Sequence, residues 1–452
     1  MRPALRASAF LLLFVLTFAP AARADNASLA SAAASAVSES AAERDAAIQA
    51  LRDAGPAGLD ALFEAHADEI ARQLSGADSA RGAAWLRLAH ALDRVSRQRD
   101  NFASRLFWHT DIEEAKRAAR AEKKPILSLR LLGRLDEEFS CANSRFFRTA
   151  LYANAEVSKL MRERFVLHWK SVRPAPRVTI DFGDGRRIET TVTGNSVHYV
   201  LDSEGWPVDA LPGLYGPRAF ARELARAESA ARNAMRLAGA PQNEFLSLYH
   251  NARANELLAR LRADAGRASV PLPPEAFAVA PAVVPQGTTP TAVRAMPIAM
   301  TKSGVESRIV RSVVYDPAAF AAATDAGAWS RLAALYSDDA RLDAASLALL
   351  RRHNPYVPTS GDAKAVPSPE QLARVVRNFE SRMALDTVRN EYLLRPRLLR
   401  WFLEGASRVP VEQLNARVYT ELFLTPDSDP WLGLLPPDTY SGIEGDGVRR
   451  AR

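Results

Sequence analysis

The stretch IEEAKRAARAEKKPILSLRLL, residues 112–132, constrains the fold more than any other part of the chain. Its first half carries apolar positions at helical spacing among Ala, Glu, Lys and Arg, all good helix formers. Lys124-Pro125 stops that helix, because proline lacks a backbone N–H and its ring clashes with the preceding turn. Ile126–Leu132 follows as a β-rich run. Helix, stop and strand in immediate succession point to an α/β architecture.

The alternation continues downstream. NAEVSKLMRERF reads as a helix with Val157, Leu160, Met161 and Phe165 on one face, and VLHWKSV at 166–172 as a strand. RVTIDFGDGRRIETTV is predicted to be a hairpin turning at Gly183-Asp184-Gly185, so its DFGDGR portion is a turn and not a kinase or calcium motif. SVHYVLDSEGWPVDAL gives a second hairpin around Glu204-Gly205. A helix from Gly216-Pro217 closes the unit.

The flanks have a different texture. Residues 25–104 are expected to form a helical cap, with a loose Ala/Ser tail up to about Ser40 and a helix starting at Pro56. Residues 241–265 read as a helix. Residues 266–300 read as an extended linker carrying Pro271, Pro273, Pro274, Pro281, Pro285, Pro290 and Pro297. Residues 301–452 are expected to be mainly helical, with a break at Pro396 and Trp431 packed into a core.

The first 24 residues have the three parts of a secretory signal peptide: Arg2 and Arg6, an apolar run from Ala7 to Ala22, and a small-x-small site at Ala22-Arg23-Ala24. A periplasmic or secreted protein is expected. The apolar run is shorter than the roughly 18 residues a membrane span needs. Of 59 Lys and Arg against 52 Asp and Glu, only Arg2, Arg6 and Arg23 fall in that leader, which has no acid, leaving +4 beyond it. So mild a charge, interleaved in sign, reads as solvated helix faces and not a nucleic-acid surface. His66, His90, His109, His168, His198, His250 and His353 are scattered without metal-ligand spacing, so neither metal nor cofactor is expected.

DEEFSCANSRFF, residues 136–147, holds Cys141, the one cysteine of the chain, and Ser144 three positions on. Together with Trp108–Asp111, the helix after it and KPIL at 124–127, this segment resembles the thioredoxin-like fold superfamily over about residues 105–230. The resemblance implies an α/β fold: a thioredoxin-like domain (105–240 with its trailing helix) between an N-terminal helical region and a mainly α C-terminal domain. It places Cys141 at the attacking cysteine of a Cys-x-x-Cys turn, with Ser144 at the second and Ser196 where the family has a cis-proline facing the thiol. Ser140 stands in place of the usual Trp. A dithiol releases its substrate by attack of the second cysteine, which Ser144 cannot perform. Arg145 and Arg148, one and two turns on, add positive charge near Cys141, whereas Asp136, Glu137 and Glu138 add negative. Peroxidase chemistry of the peroxiredoxin type is not indicated, since Arg134 and Glu138 occupy that pattern's proline and threonine places. Asn143 and Ser144 are also expected to cap the helix SRFFRTAL. Two functions follow: monothiol exchange or redox sensing with a protein or small-molecule thiol or disulfide, or a non-catalytic binding scaffold of the cell envelope.

Overall fold

The computed structural model describes residues 26–75, 82–272, 292, 298–302, 305–306, 327–359, 364–435, 442–444 and 448. The expected leader lies outside the described residues, as do Pro273, Pro274, Pro281, Pro285, Pro290 and Pro297 of the proline-rich stretch.

Five helices open the described chain: α1 (Asn26–Ser35), α2 (Ala41–Asp53), α3 (Pro56–Ala65), α4 (Ala67–Ser75) and α5 (Ala83–Ser96). They surround a core separate from that of the sheet, around Leu51, Leu59, Leu62, Trp85, Leu88 and Leu92, to which Ala153 and Leu349 also contribute. The expected loose tail is instead helical over α1, with Leu29 and Ala33 buried against the others. Alanine has the highest helix propensity, and burying one Leu contributes about 1.5–3 kcal/mol, enough to fix a short Ala-rich segment. Gly58 lets α3 cross α2 closely, since a Cβ there would lie inside the Leu51 carbonyl.

The α/β part follows. Its elements are β1 (Trp108–His109), α6 (Ile112–Glu122), β2 (Ile126–Leu132), α7 (Ala142–Phe146), a π-helical turn (Phe147–Tyr152), α8 (Ala155–Arg164), β3 (Val166–Arg173), β4 (Arg177–Asp181), β5 (Arg187–Thr191), β6 (Val197–Leu201), β7 (Pro207–Pro212), α9 (Pro217–Ala234) and α10 (Ala240–Arg267). Asp111 caps α6 by accepting from the Glu114 amide at 2.9 Å. Five strands form one mixed sheet in the order β1-β3-β2-β6-β7. β3 is parallel to β1 and β2, whereas β6 is antiparallel to both β2 and β7. The connection from β3 to β6 is not a helix. It is a separate hairpin, β4–β5, whose Ile180, Phe182 and Ile188 are exposed.

Register assigns the two faces of the sheet. Ser128 pairs with Tyr199 and with His168, so these three share a face with Arg130. Leu129 pairs with His198 on the opposite face, where His198 packs on Phe147 and Phe220.

The C-terminal helices are α11 (Gly327–Ala334), α12 (Ala344–His353), α13 (Pro369–Arg389), α14 (Arg395–Leu403) and α15 (Val411–Arg417). Ser368 and Gln371 start α13 with a capping box. Pro396 does not break the helical path as expected. The preceding turn, Asn390–Leu394, widens to a π-helix, and Pro396 then occupies the first turn of α14. A missing N–H is accommodated this way without ending the helix. These helices share one core with the sheet: Leu398, Trp401, Leu414 and Tyr419 belong to the same buried cluster as Leu129 and Val200.

Buried ion pairs tie the C-terminal helices to the sheet. Arg395 meets Asp209 of β7 through two bonds, 2.9 and 3.2 Å, with both side chains 1% exposed. Against the upward push of burial, Arg395 holds the Asp209 carboxyl below its ordinary range. Removing one partner of such a pair leaves an uncompensated buried charge. Asp209→Asn should therefore lower the unfolding free energy by about 3–5 kcal/mol in urea denaturation, and the double variant D209L/R395M should recover much of the loss.

Candidate functional site

Cys141 sits where the loop after β2 turns into α7. Its amide donates to Leu132 O at 3.0 Å, and its carbonyl accepts from the Arg145 amide at 3.2 Å. With φ −57° and ψ 154°, Cys141 is itself the N-cap of α7. Asn143 and Ser144 therefore do not cap the helix as expected, because they already lie within its first turn. Ser144 Oγ donates to Cys141 O at 3.0 Å, so its hydroxyl serves the backbone of Cys141. Asn143 Nδ2 reaches Asn195 Oδ1 at 3.4 Å. Arg145 Nη1 donates to Ser140 O and to Thr191 Oγ1, both at 2.6 Å.

Ser196 lies opposite the thiol, its Oγ 3.1 Å from Cys141 Sγ. The segment leading to it presses on the cysteine: a Cβ at Gly194 would stand 3.0 Å from Cys141 Cβ. Cys141 is 2% exposed, and Asn143, Ser144 and Ser196 are buried with it. The C-terminal region closes over this segment, with Tyr419 OH donating to Asn195 O at 2.8 Å and Tyr199 OH to Asn415 Oδ1 at 3.3 Å. Burial pushes the Tyr152 and Tyr419 phenols well above their ordinary range, and negative charge on Cys141 would push both further.

A disulfide must approach a thiolate sulfur directly to be attacked. Here the sulfur faces Ser196, lies beneath the chain's own residues, and has no resolving thiol. The arrangement can hold a small polar contact in an apolar surround. It cannot admit a protein disulfide without displacing the covering segment.

Several residues that shape the site have no local sequence signal. Asn195, Tyr419 and Asn415 belong to this group. Arg130 did have one, a charge inside the apolar run ILSLRLL. It is 1% exposed in β2 and pairs with Glu412 of α15 at 3.1 Å. His168 and His198 are buried. His168 Nδ1 lies 2.7 Å from Ser128 Oγ, and His198 Nε2 lies 2.8 Å from Tyr152 OH. Trp431, expected in the core, is 43% exposed, and its neighbour Leu432 is buried instead. No group of three or more His, Cys, Asp and Glu among the described residues could hold a metal ion.

Beside α7 opens a cavity of about 450 Å³, lined by Arg145, Phe146 and Arg148 on one side and by Leu350, Phe379 and Arg382 on the other.

Comparison with known proteins gives no match: no family model, no curated protein and no solved structure is similar to this chain.

The histidines on the sheet make stability depend on pH. Burial lowers His198 to about 3, whereas the unfolded chain returns it to about 6.5. Between those values the unfolded state binds one more proton, so stability falls as pH drops below about 6.5. His198→Gln cannot take up that proton. Its stability measured by denaturation near pH 5 should depend on pH less steeply than that of the parent, by up to about 1.4 kcal/mol per pH unit.

Proposed function

We propose that this chain is an exported thioredoxin-like protein that works as a binding scaffold, with its single thiol serving structure. The strand order β1-β3-β2-β6-β7 supports the thioredoxin-like reading for residues 105–240. So does the placement of α6 between β1 and β2, α7 and α8 between β2 and β3, and α9 after β7. Export rests on the leader-like residues 1–24, and no helix among the described residues is long and apolar enough to cross a membrane.

One observation carries the scaffold reading. The thiol stands at the attacking position of the turn, yet it is 2% exposed and hydrogen-bonded to Ser196. Monothiol exchange has one feature in its favour, the Arg145 guanidinium a turn away, which a thiolate on Cys141 would hold in its charged form against the effect of burial. That chemistry requires the cover formed by Tyr419 and its neighbours to open first.

Thiol reactivity separates the two. In the native protein, 5,5′-dithiobis(2-nitrobenzoate) should modify Cys141 at least about a hundredfold more slowly than in urea-unfolded protein, the factor that an opening cost of about 2.7 kcal/mol imposes. A native rate close to the unfolded one, or a glutathione adduct on the intact protein, would establish exchange chemistry instead.

A further inference from the structure

We propose that the cavity between α7 and α13 binds a small amphiphilic carboxylate, with its apolar body against the paired rings of Phe146 and Phe379 and its carboxylate on a guanidinium of the lining. The proposal deepens the binding reading but makes no use of Cys141, so each can fail without the other.

The size is suitable, since about 450 Å³ falls within the range of small-molecule sites. The body of the cavity is apolar. Phe146 of α7 and Phe379 of α13 stand with ring centroids 5.3 Å apart, and Leu350 and Val375 extend that surface. Val375 is 43% exposed at the mouth, so the space communicates with solvent.

The charges are unbalanced in one direction. Three guanidiniums, those of Arg145, Arg148 and Arg382, line the space against a single carboxylate, Glu138, which is already paired with Arg99. Arg148 is 3% exposed, and its Nε has no hydrogen-bond partner. Its charge is answered by Asp100 at 4.0 Å, which His353 also approaches at 3.3 Å. Arg145 and Arg382 have no carboxylate within ion-pair reach among the described residues. Arg145 spends one nitrogen on Ser140 O and Thr191 Oγ1, leaving the rest of its fork free. Arg382 is exposed on α13. Arg145 and Arg382, neither in an ion pair among the described residues, border the same apolar cavity, and either can hold a planar carboxylate there by paired N–H donors. A neutral molecule with the same body would forgo those charge-assisted bonds.

Calorimetric titration of the full chain with octanoate, and with octan-1-ol as its uncharged counterpart, tests this. Octanoate should saturate one site and bind at least about tenfold more tightly than the alcohol, the factor one charge-assisted contact gives. Arg382→Glu should cost octanoate at least about tenfold at an unchanged melting temperature, since Arg382 is exposed and makes no contact the fold needs. Val375→Asp, at the mouth, should weaken binding similarly. Absence of saturable octanoate binding, equal binding of octanoate and octanol, or unchanged octanoate affinity in both variants would each overturn the proposal.

Discussion

A guanidinium in the central strand of a sheet must be answered by a carboxylate, and most of this architecture follows from that requirement. Arg130 lies in β2, flanked by β3 and β6, where burial depresses its pKa and Glu412 opposes the effect. Leaving such a charge unpaired in the interior costs several kcal/mol. A purely apolar layer therefore cannot cover this face. α15 covers it, bringing Glu412 to both Arg130 and Lys170. His168, beside Arg130, is held neutral by burial and by that neighbouring charge. With α15 in place, Asn415 reaches Tyr199 and Tyr419 reaches Asn195. The closure of the thiol is thus a consequence of how Arg130 is neutralised.

The hairpin β4–β5 makes room for this arrangement. It occupies the β3-to-β6 connection without lying on the sheet, so the face bearing Arg130 and Tyr199 is free for a distant part of the chain. Asp209 with Arg395 repeats the device at the β7 edge. Such pairs add little net stability over apolar packing, but they penalise any arrangement that separates the partners.

Features governed by neighbours in the chain were legible from sequence. Pro125 marked the handover from α6 to β2, Gly183 and Gly185 marked the first hairpin, and Gly216-Pro217 marked the start of α9. The facing of Ser196 and Cys141 could be anticipated only through resemblance, because nothing in either segment refers to the other. α1 was missed because a nearly all-Ala/Ser helix has too little polar contrast to show a buried face. The capping of α7 fell to Cys141 because the loop enters the helix two residues earlier than the Asn and Ser suggested. Pro396 misled because a π-turn can absorb the defect that usually ends a helix. The cover over the thiol was invisible for another reason. Tyr419 and Asn195 are 224 residues apart, and pairing at that distance leaves no local pattern.

The same separation governs the order in which the molecule can be completed. Arg130 and the Glu412 that answers it are 282 residues apart, so the central strand of a growing chain carries an unanswered charge until the residues of α15 have been made. Long loop closures are slow, and their entropy must be met before the contact exists. The five N-terminal helices also draw on later residues, since Ala153 and Leu349 are buried in their core. The sheet cannot lock until α15 arrives, and the N-terminal core is not complete until Leu349 does, so both cores close by meetings of distant segments.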